Sequence, residues 1–237
     1  MKVDRVMLVV LAVAFIVAIS LLLSRGDRSP NVEQVVVTTP EPEITPITIV
    51  LDPGHGGRDP GGVTEGILEK ELNLAIVERM QTLIDLDYPE LDPVLTRTMD
   101  IEMDNLDRVN RAKETGAALY VSIHVNACEY PEVSGAEVWV DETLSEGDGS
   151  WILARCIQDA VVAATGTRDR GIRTGDLYLQ HLAIPAVSVE VGFLTCAEER
   201  AKLIDPGYQE QIAGGIIQGI MTYLETVGYW ETGDQDV

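Results

Sequence analysis

Positive charge is scarce in this sequence: 17 Lys and Arg stand against 39 Asp and Glu in 237 residues, leaving a net charge of −22 at pH 7. A phosphate-binding protein needs a basic face from which counterions are released, so nucleic acid is not an expected partner. Anionic lipid headgroups repel such a chain as well. Cysteine is also sparse. Cys128, Cys156 and Cys196 lie far apart with no CxxC pair, which excludes a disulfide-dense scaffold and a cysteine zinc knuckle. Each is read as a small buried apolar residue. At 46% hydrophobic and 24% charged, the composition is that of a globular protein, neither disordered nor collagen-like.

Long hydrophobic runs are rare too, and the one that matters is Val6–Leu23, uncharged and interrupted only by Ser20. Its length meets the roughly 17–25 helical residues that a bilayer core takes. No small-residue cleavage site follows Leu23, so a retained anchor is favoured over a cleaved signal peptide. Lys2 and Arg5 before the run are balanced by Arg25 and Arg28 after it, so the positive-inside rule does not set an orientation. The expected organisation is a cytoplasmic segment at 1–5, a transmembrane signal-anchor at 6–23, a proline-rich acidic linker at 24–46, one folded domain at 47–226 and an acidic tail at 227–237.

From Ile47 onward, apolar strand-like runs alternate with segments of helical period, the pattern of an α/β sheet flanked by helices. Ile47–Leu51 predicts a first strand, stopped by Asp52-Pro53-Gly54, and a glycine-rich loop follows to Gly66. A helix follows over Leu72–Ile84, then a short strand at Val94–Thr96 and a helix at Asn105–Thr115 capped by Gly116. Leu119–Ile123 predicts a strand that delivers His124 and Asn126 at its carboxyl end. Further strands are expected at Gly135–Val140, Leu177–Leu179 and Ala186–Glu190, and helices at Ser150–Thr165, Ala197–Leu203 and Pro206 to about Tyr223.

Two of only three histidines, His55 and His124, come just after strands, at the edge of an α/β sheet where ligands bind. Two imidazoles give zinc two ligands, and a catalytic zinc takes three protein ligands with one position left open. A carboxylate must complete the set. Glu69, at the start of the helix after the glycine loop, is the leading candidate, with Glu65 and Glu71 as alternatives. Hydrolysing an amide also needs a group that takes a proton from water and gives one to the departing amine. Glu190 fits, because it interrupts the largely apolar strand Val187–Phe193, where an unpaired carboxylate is costly unless a metal or substrate uses it. The third histidine, His181, falls among Leu179, Leu182 and Ile184 and reads as structural or groove-lining.

Several motifs, in order, carry a family resemblance. They are Asp52-Pro53-Gly54-His55-Gly56-Gly57 with Asp59-Pro60-Gly61, then Leu68-Glu69-Lys70-Glu71-Leu72-Asn73-Leu74, then Leu95-Thr96-Arg97. After these come Ser122-Ile123-His124-Val125-Asn126, Arg170-Gly171-Ile172, and Pro185 through Leu194. From Ile47 to about Leu224 the chain resembles the zinc-dependent N-acetylmuramoyl-L-alanine amidases of bacterial peptidoglycan. That resemblance implies a single domain with a twisted, mostly parallel sheet flanked by helices on both faces. It implies Zn2+ as cofactor, His55, Glu69 and His124 as its ligands, and Glu190 as general base and acid; Asn126, delivered beside His124, is a substrate-binding candidate. The implied reaction cleaves the amide between the lactyl group of muramic acid and the L-alanine of the stem peptide.

Because peptidoglycan lies outside the cytoplasm, the resemblance places the anchor N-in, in the cell membrane, with the domain extracytoplasmic. One catalytic domain behind one anchor also resembles the sporulation amidases. Some relatives plug the metal site with an inserted helix after the second histidine motif, for which Ala127–Ser134 leaves no room. Cys196 stands where many relatives have Asn, and Gln180 where a basic residue is common. The expected partners are peptidoglycan and, through the anchor, the membrane; an activator protein is not legible. The competing readings are a zinc carboxypeptidase or endopeptidase of the stem peptide and a catalytically silent wall-binding or activator module.

Overall fold

A computed structural model describes residues 45–229; the expected anchor at 6–23, nearly all of the linker and the tail from residue 230 on lie outside the described residues. Among the described residues no helix is long and apolar enough to cross a membrane. The chain forms strands β1 (Ile47–Pro53), β2 (Val63–Thr64), β3 (Ile67–Leu68), β4 (Leu91–Leu95), β5 (Leu119–Asn126), β6 (Ala136–Asp141), β7 (Asp169–Gly175) and β8 (Ala186–Phe193). Its helices are α1 (Glu69–Asp87), α2 (Asn105–Thr115), α3 (Gly149–Thr165), α4 (Ala197–Leu203) and α5 (Pro206–Thr226), with a 3-10 turn at Tyr178–His181.

Six strands make one sheet in the order β4-β1-β5-β8-β6-β7, and β2 and β3 form a small separate hairpin. The joins are parallel except β6 with β8, which is antiparallel, so the expected mostly parallel sheet is present with one reversal. Alternation along the strands divides the core. Ile49, Leu51, Val121, Ile123, Val187 and Val189 pack with apolar residues of α1, α3 and α5 on one face, whereas Val50, Tyr120 and Ala186 pack with Ala112 of α2 and Leu179 of the 3-10 turn on the other. Strands covered on both faces must be apolar nearly throughout, which is why β1, β5 and β8 read so clearly. The edges are blunted: β4 carries Pro93, which has no ladder donor to lose, and β7 carries Arg170 and Arg173.

Asp104, Asp148 and Asp205 cap α2, α3 and α5 by accepting backbone N–H bonds, each contributing about 1 kcal/mol, and Gly116 and Gly166 close α2 and α3 in the left-handed conformation. Helix α1 has no side-chain cap at Leu68. The glycine loop caps it instead, with Gly62 O accepting from Glu69 N at 2.9 Å and Pro60 O from Lys70 N at 3.1 Å. One strand expectation needs correction. Leu177–Leu179 is not a strand: Leu177 N is drawn to Asp141 Oδ2, the Tyr178 hydroxyl to Asp52, and the chain curls into the 3-10 turn. The edge strand is β7 instead, whose Asp, Arg and Gly lack the apolar alternation that betrays a strand. Among the cysteines, Cys196 is buried as expected, but Cys128 and Cys156 are only half-buried.

Candidate active site

Strands β1, β5 and β8 run parallel, and their carboxyl ends bring together His55, His124 and Glu190. Glu69 arrives from the first residue of α1, where the helix dipole favours a carboxylate. Glu69 Oε1 lies 3.1 Å from His55 Nε2 and 2.9 Å from His124 Nδ1. The donor atoms of His55, Glu69 and His124 all fall within 4.8 Å of one another. Ligands about 2.1 Å from a tetrahedral zinc stand about 3.4 Å apart, close to the 3.1 and 2.9 Å that separate Glu69 Oε1 from the two imidazoles, so this donor set can hold the ion. Among the described residues this group contains neither Glu65 nor Glu71. Glu65 pairs with Arg200 at 2.9 Å, Glu71 is exposed, and His181 sits exposed at the end of its 3-10 turn.

Glycine is required where side chains press on the loop. A Cβ at Gly54 would lie 2.1 Å from His124 Cε1, and one at Gly61, whose φ is +65°, would lie 2.5 Å from Glu69 Oε2. His55 itself takes φ 60°, an uncommon conformation for a residue with a Cβ, and its carbonyl accepts from Arg108 Nη2 at 2.7 Å. Under the loop, fully buried Asp52 pairs with Arg108 and accepts from Ser122 Oγ at 2.8 Å and the Tyr178 hydroxyl at 2.9 Å. Arg97 donates to the carbonyls of Pro53, Gly54 and Lys70. A satisfied buried ion pair thus pins the backbone that presents His55.

Charge around these three candidate ligands is tightly coupled. Burial opposes the carboxylate of Glu69, yet bonds from His124, His55 and Gly62 N hold its pKa well below the usual range. Burial likewise opposes protonation of His55, but Glu69 and Asp59 outweigh it and raise the pKa to about 9. His124 is raised for the same reason, with burial opposing and Glu69 and Glu190 prevailing. A cation at this site must therefore compete with protons for the two imidazoles, and its binding weakens as pH falls.

Glu190 is cross-strand partner to His124 on β5 and to Glu137 on β6, so His124, Glu190 and Glu137 form a row across three strands on one face of the sheet. Burial first, then the charges of Glu69 and Glu137, raise the Glu190 pKa to about 7. Its Oε2 is buried without a hydrogen-bond partner. An unsatisfied carboxyl oxygen beside three convergent donors makes Glu190 a candidate for chemistry, because buried polar groups are ordinarily hydrogen-bonded.

Comparison with known proteins decides the family. The family model described as N-acetylmuramoyl-L-alanine amidase matches residues 49–222, a span that contains every residue of this site. The chain belongs to the N-acetylmuramoyl-L-alanine amidase family. It is 38% identical over 177 residues to N-acetylmuramoyl-L-alanine amidase LytC of Bacillus subtilis, a match covering 74% of this chain and 35% of LytC, so it spans about a third of that relative's length. It is 31% identical over 183 residues to the sporulation-specific N-acetylmuramoyl-L-alanine amidase of the same organism, covering 73% of this chain and 67% of the relative. Among solved structures, an N-acetylmuramoyl-L-alanine amidase from Clostridium difficile 630 superposes with a TM-score of 0.73 at 36% identity, covering 76% of this chain and 98% of that one.

Within this amidase-family fold, residues 127–135 join β5 to β6 without a helix, as their number leads one to expect. Asn126, read as a substrate-binding candidate, has both ends of its amide engaged: Nδ2 donates to Glu137 Oε1 at 3.0 Å and Oδ1 accepts from Ala127 N at 2.8 Å. Sequence reasoning missed the side chains that hold the ligands. Asp59 Oδ2 lies 2.7 Å from His55 Nδ1, and Asn73 Nδ2 donates to Glu69 Oε1 and to Gly54 O, both at 3.3 Å. The signal for Asn73 was its place one helical turn after Glu69 on α1. An outer carboxylate fixes the tautomer and basicity of a ligating histidine. Asp59→Asn is therefore expected to weaken zinc binding by about 10–100-fold with the fold intact, measured by competition with a chromogenic chelator. Unchanged affinity would show that Asp59 does not orient His55.

Proposed function

We propose that the chain is a zinc-dependent peptidoglycan amidase that hydrolyses the bond between the lactyl carbonyl of muramic acid and the L-alanine nitrogen. The observation that supports it most is the convergence of His55, Glu69 and His124 beside Glu190, whose Oε2 has no hydrogen-bond partner, inside a family match that spans the domain. His55 Nε2, Glu69 Oε1 and His124 Nδ1 would hold the ion. When bound, zinc supplies Lewis acidity toward the amide carbonyl and toward water. Glu190 takes a proton from the attacking water and returns one to the departing amine, so that the C–N bond breaks to a lactyl carboxylic acid and a free L-alanine amine. A pKa near neutrality suits a group that must do both.

The N-terminal run supports a retained anchor at 6–23 followed by a linker at 24–46, which would place the domain at 47–226 outside the cell membrane, next to its polymer. Similarity to the sporulation-specific amidase supports a sporulation role. Mass spectrometry of muropeptides after digestion, with and without a chelator, tests the reaction. Peptide-free glycan and intact stem peptides, lost on chelation, are expected; shortened stems would indicate a peptidase, and no cleavage a silent module.

A further inference from the structure

The row of side chains that begins with His124 and Glu190 does not end at Glu137. Glu137 is buried, and its carboxylate accepts from Arg170 Nε at 2.7 Å, while Arg173 Nε lies 3.6 Å away. Both arginines come from β7, the strand beyond β6. Arg170 is braced over the Phe193 ring, 4.9 Å from its centroid. Among the described residues neither guanidinium makes a hydrogen bond through its terminal Nη atoms. Two guanidinium charges against one carboxylate leave a net +1, set into a protein of net charge −22.

That local positive charge lies on the side of Glu190 away from the histidines, between one and two strand spacings off, roughly 5–10 Å. Around the bond cleaved under the proposed function, on which this inference rests, the substrate is anionic in only one place. The glycan carries hydroxyls and acetamides, which are neutral. On the peptide side, the γ-linked second residue of the stem presents an α-carboxylate, two residue lengths or roughly 7 Å from the scissile nitrogen. The geometry points to Arg170 and Arg173 as the subsite for that carboxylate, selecting stems whose second residue is acidic over stems in which it is amidated. A guanidinium fork matches a carboxylate in two parallel bonds, and a carboxamide replaces one acceptor with a donor that faces N–H groups. The subsite also fixes direction: glycan toward the histidines, peptide toward β7.

The test uses the zinc-loaded full chain and two soluble disaccharide peptides that differ only in the α-carboxylate or α-carboxamide of the second residue. The wild-type protein is expected to favour the carboxylate by about 10–100-fold in kcat/KM, mostly through KM, with a ratio that shrinks as salt rises. Arg173→Gln is expected to cut the ratio several-fold. Arg170→Gln could fail to fold because it strips a partner from buried Glu137, so Arg170→Lys is the companion: it keeps the charge, loses the fork, and should give an intermediate ratio. Zinc content and melting temperature verify that each variant is folded. Equal kcat/KM for both substrates, or a ratio unchanged in both Arg173→Gln and Arg170→Lys, overturns the subsite alone. Cleavage of neither substrate overturns the amidase reading and this inference with it.

Discussion

Glu190→Gln is expected to lower turnover by about 10²–10⁴-fold, the contribution of a positioned acid or base, while zinc stays bound to the three ligands that the substitution does not touch. Glutamine keeps the size of the side chain and removes its ability to take a proton. The stability effect should run the opposite way. Burial raises the pKa of Glu190 to about 7 from 4.5, so in the metal-free protein the folded state holds a proton that the unfolded state releases. A group with a raised carboxyl pKa withdraws stability as pH climbs through that window, and above it the native state carries a buried carboxylate with an unsatisfied oxygen. Metal-free Glu190→Gln should therefore melt higher than wild type at pH 7–8, by roughly 2–4 °C for each kcal/mol relieved in a domain of this size. A residue kept for structure would lose stability on replacement. Full activity, or zinc loss as complete as that of a ligand variant, would refute the role assigned to Glu190.

How much of this was legible beforehand depended on whether a residue's role is local. The central strands were plain because burial on both faces demands continuous apolar runs, and α2 and α3 were plain because Gly116 and Gly166 mark their ends. His55 and His124 stood out by rarity and by their place after strands. Glu190 stood out as an acid within an apolar strand. Glu137 belongs to the same class, yet in Ala136–Asp141 it alternates with apolar residues as a solvent-facing residue would, so sequence pattern gave it no distinction. Its partners come from β5, from β7 and from Trp139 two positions on in β6, and no spacing rule links all of these. Asp52 shows the same limit. It reads as a strand stop, but the structure gives it a full set of partners from α2, β5, the turn after β4 and the 3-10 turn. Choosing Glu69 over Glu65 and Glu71 needed the family resemblance, because nothing in the spacing says which carboxylate the loop Gly54–Gly66 folds back to meet.

Glu69→Gln is expected to abolish turnover by removing the ion itself, with zinc affinity falling by more than the 10–100-fold that loss of an outer partner costs. Glutamine can still accept from Gly62 N, which bonds Glu69 Oε2 at 2.7 Å, so the loop and the start of α1 should survive. What it cannot supply is charge. Glu69 bonds both imidazoles in the metal-free protein, and its loss should lower the pKa of each histidine. The sign of the stability effect follows. The pKa of His55, raised from 6.5 to about 9, stabilises the metal-free fold fully below pH 6.5, and that contribution is lost as pH rises through 9. In Glu69→Gln this fall in stability between about pH 6.5 and 9 should flatten, and the titration of His55, followed by NMR of its ring protons, should move down. The contrast with Glu190→Gln is the decisive measurement. Both variants should lose most of their turnover, but only Glu69→Gln should also lose zinc, along with the His55 share of the alkaline slope of metal-free stability. A Glu69→Gln protein that retained zinc at wild-type affinity would remove Glu69 from the ligand set and leave the two histidines in need of a different third partner.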